Sequence, residues 1–268
     1  MDTVSYEEEL RIATEAVRRA ADRYVSNGNR DSEEKSNTVG SYDIVTYSDV
    51  EAQESIIADL RSAFPEDRFY CEESDGNQLT DARTWVIDPI DGTLSYERGM
   101  PIYGTQLVLM VSKEPVLSVI YVPVLKEMFT ATVADGVRLN GTPIGNNPHR
   151  DLKKCVVSTG DFSRKKQEWR DKHYELIGAM RDEVARIRML GAACCDFAFF
   201  VADRIDIHSR FVNKLWDFMP GLFMARVAGA YVDEELLETT KFLLLAQSKE
   251  EAEQFKEKVL SKVVLNKE

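Results

Sequence analysis

The chemistry this chain can do is concentrated in one short run. Asp88 and Asp91 stand three residues apart across Pro89 and Ile90, and Gly92-Thr93 follow at once. Pro89 fixes its own φ and biases Asp88 towards an extended backbone. The result is a turn that can point two carboxylates at one spot. Two unpaired carboxylates that approach each other repel, and one stays protonated. A divalent cation removes the conflict, and hard oxygen ligands suit Mg²⁺ or Mn²⁺ rather than zinc. The N–H groups of Gly92 and Thr93, at a turn that can open a short helix, suit phosphate oxygens. The run therefore sets metal ligands beside a phosphate cradle.

Several elements must position this run. Leu10, Ala13, Val17, Ala21 and Tyr24 recur at helical spacing and predict an opening amphipathic helix. Residues 26–41 are polar and read as a loop. Residues 43–47 read as a short strand, and Ser48 with Glu51 reads as a capping box for a helix to about Phe64. Asp49 then lies at a strand-to-helix junction, exposed and fixed in direction. Strands at 68–71 and 84–87 end on Glu72-Glu73 and on Asp88. Strands at 104–111, 115–122 and 127–133 have short connections and predict an antiparallel meander, and 135–141 gives two turn signals. From about residue 150 strands and helices alternate, which predicts a mixed or parallel sheet covered by helices. The helix expected at 217–228 follows Trp216, and a boundary near Pro148 divides the chain into halves 1–148 and 149–268.

Bulk properties narrow the function classes. An apolar fraction of 44% is enough for a sizeable core. A net charge of −12 repels polyanions, so nucleic acid is not an expected partner. A small phosphorylated substrate is compatible with that charge if metal ions invert the field locally. No apolar run reaches the length of a membrane span, and residues 7–9, all Glu, do not begin a signal peptide. Cys71, Cys155, Cys194 and Cys195 lack Cys-x-x-Cys spacing and read as buried, reduced thiols of a cytoplasmic protein. His149, His173 and His208 show no ligand spacing.

The run Trp85-Val86-Ile87-Asp88-Pro89-Ile90-Asp91-Gly92-Thr93, with Gly99-Met100-Pro101 after it, resembles the signature of the inositol monophosphatase family. Other segments agree in order. Asp43-Ile44-Val45-Thr46-Tyr47-Ser48-Asp49, Cys71-Glu72-Glu73-Ser74, Asn140-Gly141, Gly191-Ala192-Ala193 and Trp216-Asp217 are each similar to a family block. The resemblance implies an α+β fold, a layered αβαβα sandwich of the sugar-phosphatase type. It implies hydrolysis of a phosphate monoester on a small polyol or sugar-like metabolite, with two or three Mg²⁺ ions that Mn²⁺ can replace. Glu72, Asp88, the Ile90 carbonyl, Asp91 and Asp217 are the metal ligands it implies. Thr93, Asp49 and Glu72 form the catalytic set: Thr93 orients the attacking water and Asp49 accepts its hydroxyl proton. Gly92, Thr93, Gly191, Ala192, Ala193, Arg210 and Asp217 form the substrate side, and Glu73 supports Glu72. A homodimer is also implied.

Three departures from the family pattern matter. Ser95-Tyr96 replaces the usual Asn-Phe, and serine there resembles the histidinol-phosphatase branch. Met219-Pro220 replaces Ala-Ala, and a proline near a helix start is tolerated. Arg210 stands seven residues before Asp217, about where inositol-specific members place a glutamate. A guanidinium prefers anions and accepts no hydroxyl proton. Histidinol-phosphate, fructose-1,6-bisphosphate and 3′-phosphoadenosine nucleotide phosphatases are the alternative enzymes. A non-catalytic relative that binds phosphorylated ligands is the alternative of a different class.

Overall fold

The computed structural model describes residues 5–35, 44–145, 150–163 and 166–266. The expected helix α1 (Glu7–Asn27) opens the chain. Within the stretch read as a loop, Ser32–Glu34 is a strand, β1, paired antiparallel with β2 (Ile44–Thr46). Its polar residues hid it, because a short ribbon at the surface has no buried face to alternate against. Helix α2 (Tyr47–Ala63) follows. Its capping box is made by Thr46 and Asp49, not by Ser48 and Glu51 as the sequence predicts. Asp49 is therefore buried in the first helical turn rather than exposed at a junction.

Seven strands form the first sheet: β3 (Arg68–Cys71), β4 (Thr84–Asp91), β5 (Gly104–Val111), β6 (Glu114–Val122), β7 (Glu127–Thr132), β8 (Gly136–Leu139) and β9 (Thr142–Ile144), in that spatial order. The short helix α3 (Thr93–Glu97) links β4 to β5. The pair β3–β4 is parallel and the remaining neighbours are antiparallel, which is the predicted meander. Of the two turn signals at 135–141, the first connects β7 to β8 and the second, Asn140 and Gly141 at φ 49° and 81°, closes a hairpin of β8 and β9.

The second half alternates as expected: β10 (Val156–Thr159), α4 (Gln167–Met180), β11 (Arg186–Arg188), α5 (Ala193–Val201), β12 (Ile207–Phe211), α6 (Leu215–Val227), β13 (Tyr231–Val232), α7 (Glu234–Thr240), β14 (Phe242–Ala246) and α8 (Lys249–Lys258). Its five strands lie in the order β11-β10-β12-β14-β13, with β10 parallel to both neighbours and β14 antiparallel to both of its own. The sheet is mixed, as predicted. Helix α6 begins before Asp217, so Pro220 lies inside the helix, past its first turn.

Side-chain alternation along single strands stacks the layers. Trp85, Ile87, Leu107 and Leu109 face α1 and α2, through Ala13, Val17, Ala52 and Ile56. Val86, Val108 and Met110 face the other way, onto Trp216 of α6. On β14, Leu243 and Leu245 join the core with α5 and α6, whereas Phe242 and Leu244 pack with Leu176 of α4 and Phe255 of α8. Two helices, seven strands, two helices, five strands and two further helices give the αβαβα sandwich. The middle helices α5 and α6 pack on each other through Gly221, where an added Cβ would lie 1.9 Å from Phe197 Cγ. Gly221→Ala should therefore destabilise the protein. The overpacking cost of about 1–3 kcal/mol or more outweighs the gain of about 1 kcal/mol in helix propensity. Urea unfolding of the variant, read by fluorescence, checks the direction.

Candidate functional site

A regular strand points residues three apart to opposite faces. Asp88 and Asp91 escape that rule through a bulge. Asp88 pairs with Gln106 and Asp91 with Gly104, so three steps on β4 match two on β5. Both aspartates then share the face of Val86, towards α5 and α6. The Thr105 hydroxyl holds the bulge by donating to the Pro89 carbonyl at 2.7 Å, and it is itself bonded to the buried Tyr24 hydroxyl at 3.0 Å. Glu72 arrives from the parallel neighbour: its N–H continues the β3–β4 ladder to the Ile87 carbonyl at 3.1 Å. Parallel strands end on one edge, so Glu72 and Asp88 emerge side by side. Trp216 anchors the first turn of α6 on Val86 and Val108, and Asp217 is the next residue.

Four carboxylates from the two halves thus lie near enough for their charges to act on one another. Burial, then Glu72, Asp91 and Asp217, push Asp88 well above the usual carboxylate range. Burial raises Asp91 from 3.8 to about 6 despite the hydrogen bond that its Oδ2 accepts from the Cys194 N–H. Burial, with Glu72 and Asp91, raises Asp217 to about 7, while Arg210 acts the other way. Asp88 Oδ2 accepts from Gln106 at 3.4 Å, and its Oδ1 is buried without a hydrogen-bond partner among the described residues. The Lys35 ammonium bridges Glu72 and Glu73, at 2.9 and 2.7 Å. Gln53 of α2 clamps the backbone of Glu73 on both sides, donating to its carbonyl and accepting from its N–H.

The Thr93 hydroxyl has one proton and two acceptors, the Ile90 carbonyl at 3.0 Å and Asp49 Oδ1 at 3.3 Å. Asp49 Oδ2 is taken by the N–H and hydroxyl of Thr46. Burial raises Asp49 to about 6. Gly92 has φ 84°, and a Cβ there would come within 2.9 Å of Ala192 Cβ and of the Ile102 carbonyl. Only glycine fits both the left-handed backbone and the close approach of the second half. Gly191 also has a positive φ, 74°, and leads into Ala192, which caps α5 ahead of Ala193.

Arg210 lies near the end of β12 and packs its side chain over Gly160. After burial, its charge is the strongest influence on both Asp217 and Asp196, yet its Nε is buried without a partner among the described residues. Asp196, on α5, is a buried carboxylate that the sequence reading passed over. Its signal was available: one acid inside the apolar run Ala193-Cys194-Cys195-Asp196-Phe197-Ala198. Lys35 and Cys194 were also missed, and neither has a local pattern that marks it. His173 and His208 are buried and bonded to Thr159 and Ser158, while His149 and Asp43 lie outside the described residues. The four cysteines are free and buried. Among the described residues the three potential metal-ligand side chains whose ligand atoms all lie within 4.8 Å of one another are Cys155, Asp206 and Glu251 rather than members of the Asp88 cluster, and they are already satisfied: Arg150 and backbone N–H groups hold the two carboxylates. Among the described residues no helix is long and apolar enough to cross a membrane.

Comparison with known proteins agrees with this geometry. Residues 3–266 match the model of the inositol monophosphatase family. The chain is 31% identical to the Nus factor SuhB of Escherichia coli (strain K12) over 226 residues, 84% of each chain. It is 33% identical to the fructose-1,6-bisphosphatase/inositol-1-monophosphatase of Thermotoga maritima over 195 residues, 73% of each. The solved Thermotoga maritima IMPase superposes with a TM-score of 0.81 at 28% identity, covering 95% of this chain and 99% of that one.

The raised carboxylates carry a signed pH dependence. Asp91 and Asp217 hold protons in the folded chain that the unfolded chain releases near pH ~4. Their contribution to stability is complete below that pH and is lost as pH rises through about 6 and about 7. In excess chelator the melting temperature should fall as pH rises from about 4 to about 7, and Asp217→Asn should reduce that fall. Thermal melts of both proteins across this range check it.

Proposed function

The chain belongs to the inositol monophosphatase family, and on that premise we propose that it is a Mg²⁺-dependent phosphatase of a small phosphorylated polyol or sugar-like metabolite. The observation that carries this reading is the buried Asp88 Oδ1, without a hydrogen-bond partner among the described residues and under the charges of Glu72, Asp91 and Asp217. Buried charges are paired or bind metals, and an all-oxygen donor set suits Mg²⁺ or Mn²⁺. Glu72, Asp88, the Ile90 carbonyl, Asp91 and Asp217 are the residues that would hold two or three such ions. Bound there, the ions supply Lewis-acid stabilisation and a nucleophile at neutral pH.

The chain's own groups do the rest in this reading. The N–H groups of Gly92 and Thr93 receive phosphate oxygens at the start of α3. Thr93 orients the attacking water, and Asp49 takes part by accepting from the Thr93 hydroxyl. Because Asp49 Oδ2 is committed to Thr46, only Oδ1 is left for that task. Asp217 and the Gly191-Ala192-Ala193 segment line the leaving-group side. That side belongs to the half 149–268 and the phosphate side to 1–148, so the site closes only when the halves pack. Cytoplasmic residence fits four free, buried thiols.

Arg210 sharpens the substrate class. A guanidinium among carboxylates that pairs with none of them within 4 Å among the described residues is free to meet an anion on the substrate. The similarity to a protein whose name includes fructose-1,6-bisphosphatase favours a second phosphate. A second reading rests on the relatives named Nus factor, a name that carries no enzyme: the same fold would serve as a binding protein.

Phosphate release separates the two readings. Hydrolysis of inositol monophosphate or fructose 1,6-bisphosphate should stop in excess chelator and return with Mg²⁺, and Asp88→Asn should remove most of it while the melt stays cooperative. No release from any phosphorylated metabolite in a broad panel would leave the binding reading in place. For Arg210, the expected outcome is a roughly ten- to hundredfold loss of kcat/KM on a bisphosphate in Arg210→Ala, the equivalent of about 1.5–3 kcal/mol for one charge-assisted bond. Inositol monophosphate should lose far less. Equal losses on the two substrates would remove Arg210 from specificity.

A further inference from the structure

We propose that the Tyr96 hydroxyl is a positioning group for the Thr93–Asp49 pair: by bonding Ser48 it fixes the face of α3 that carries Thr93 against the first turn of α2 that carries Asp49. The inference rests on the reading of Thr93 and Asp49 as the groups that orient the attacking water. It concerns a hydroxyl that the usual Asn-Phe of the family pattern does not supply.

The geometry is two parallel links between two short stretches of backbone. Thr93 and Tyr96 are three residues apart on α3, so their side chains leave the same face of the helix. Ser48 and Asp49 are neighbours in the first turn of α2. The Thr93 hydroxyl donates to Asp49 Oδ1 at 3.3 Å, and the Tyr96 hydroxyl donates to Ser48 Oγ at 3.0 Å. The first link is longer than the usual ~2.5–3.0 Å of an O–H···O bond, and the Ile90 carbonyl competes for its proton. That link alone does not set the spacing of the two helices.

The second link is built to be rigid. The Tyr96 ring is fully buried and stands edge-on to Tyr24 and Tyr103, with centroids 5.4 and 5.2 Å away. Its hydroxyl shares one proton between Ser48 Oγ and the Tyr24 carbonyl, the latter also at 3.0 Å and in the last turn of α1. Ser48 is available for this bond because Thr46, not Ser48, caps α2. The Ser48 proton goes on to the Asn29 carbonyl at 2.9 Å, which leaves the Ser48 oxygen to accept. Between them lies Gly28, where a Cβ would fall 2.0 Å from Tyr96 Oη and 2.8 Å from Ser48 Oγ. The two hydroxyls thus fill the space of a side chain, and α1, α2 and α3 meet on one buried oxygen. Loss of that oxygen frees α3 to shift against α2, and Thr93 moves with it.

The test compares the wild type, Tyr96→Phe, Ser48→Ala and the double variant in steady-state phosphate release at saturating Mg²⁺, each with a thermal melt to confirm folding. Phenylalanine keeps the ring and its edge contacts and removes only the oxygen. The expected result in Tyr96→Phe is a roughly tenfold fall in kcat with KM within about twofold, since a misplacement of about 1 Å costs up to about 100-fold and one lost bond moves the pair by less. Ser48→Ala should lose a similar factor, and the double variant no more than the larger single loss, because both changes remove the same link. A crystal structure of Tyr96→Phe should place the Thr93 hydroxyl farther than 3.3 Å from Asp49 Oδ1. Wild-type kcat in Tyr96→Phe, or an unchanged Thr93–Asp49 distance, overturns the proposal. So does a rise in KM at constant kcat, which would tie the hydroxyl to substrate binding instead. Losses that multiply in the double variant overturn it too, since Tyr96 would then act through a group other than Ser48. If the wild type releases no phosphate from any phosphorylated metabolite in a broad panel, the phosphatase reading fails and this inference fails with it. That result needs no variant, so it is distinct from the others.

Discussion

Repulsion between buried carboxylates is the constraint on which the rest of this structure turns. Asp88, Asp91 and Asp217 are each pushed above their ordinary range by burial and by one another, with Glu72 beside them. Nothing in the hydrophobic core requires them there. A protein gains no stability from packing acids into one seam, since burial of an uncompensated charge is costly. The arrangement is held together by elements that would fold equally well around apolar residues. The strain is local and the support is global, which is the combination on which the proposed metal site rests.

The support is visible in how each acid is delivered. A one-residue bulge turns Asp91 onto the face of Asp88, and a chain of hydroxyls from Tyr24 through Thr105 to the Pro89 carbonyl fixes the bulge. A parallel strand pair sets Glu72 next to Asp88. An indole packed on the sheet carries Asp217 in on α6. Lys35 and Arg210 supply positive charge on two sides without filling the centre. The overall charge of −12 would repel a phosphorylated metabolite. In the proposed reading, cations inside the seam would reverse that field over the short distance at which a substrate would bind.

Some of this was legible residue by residue. Asp88-Pro89-Ile90-Asp91-Gly92-Thr93 could be read as ligands beside a phosphate cradle because proline, glycine and paired acids each limit the backbone in a known way. The meander was legible because its strands are long and its breaks short. Other features were hidden. The capping box at α2 could be drawn at Thr46–Asp49 or at Ser48–Glu51, and local pattern does not choose between them. The structure chooses the first, since it buries Asp49 and aims Oδ1 at Thr93. Strand β1 and the strands β8 and β9 escaped because they are only three or four residues long, so alternation had little to act on. Asp196 escaped because one acid in an apolar helix was passed over beside two cysteines.

The sequence by itself determined which groups exist and how they are tethered: the acids, the turn that separates Asp88 from Asp91, the order of strands and helices, and the family to which these belong. Those are properties of neighbouring residues, fixed by backbone sterics and hydrophobic period. Only the tertiary structure decided which groups meet. Asp217 is 126 positions from Asp91 (217 against 91), and no local rule brings them together. Their encounter depends on α5 and α6 packing together on the first sheet while the second sheet covers their other side. The same packing sets the Cys194 N–H on Asp91 and Arg210 beside Asp217. Contacts of that range are set by side-chain fit summed over the whole core, and a sequence pattern read a few residues at a time does not contain that sum.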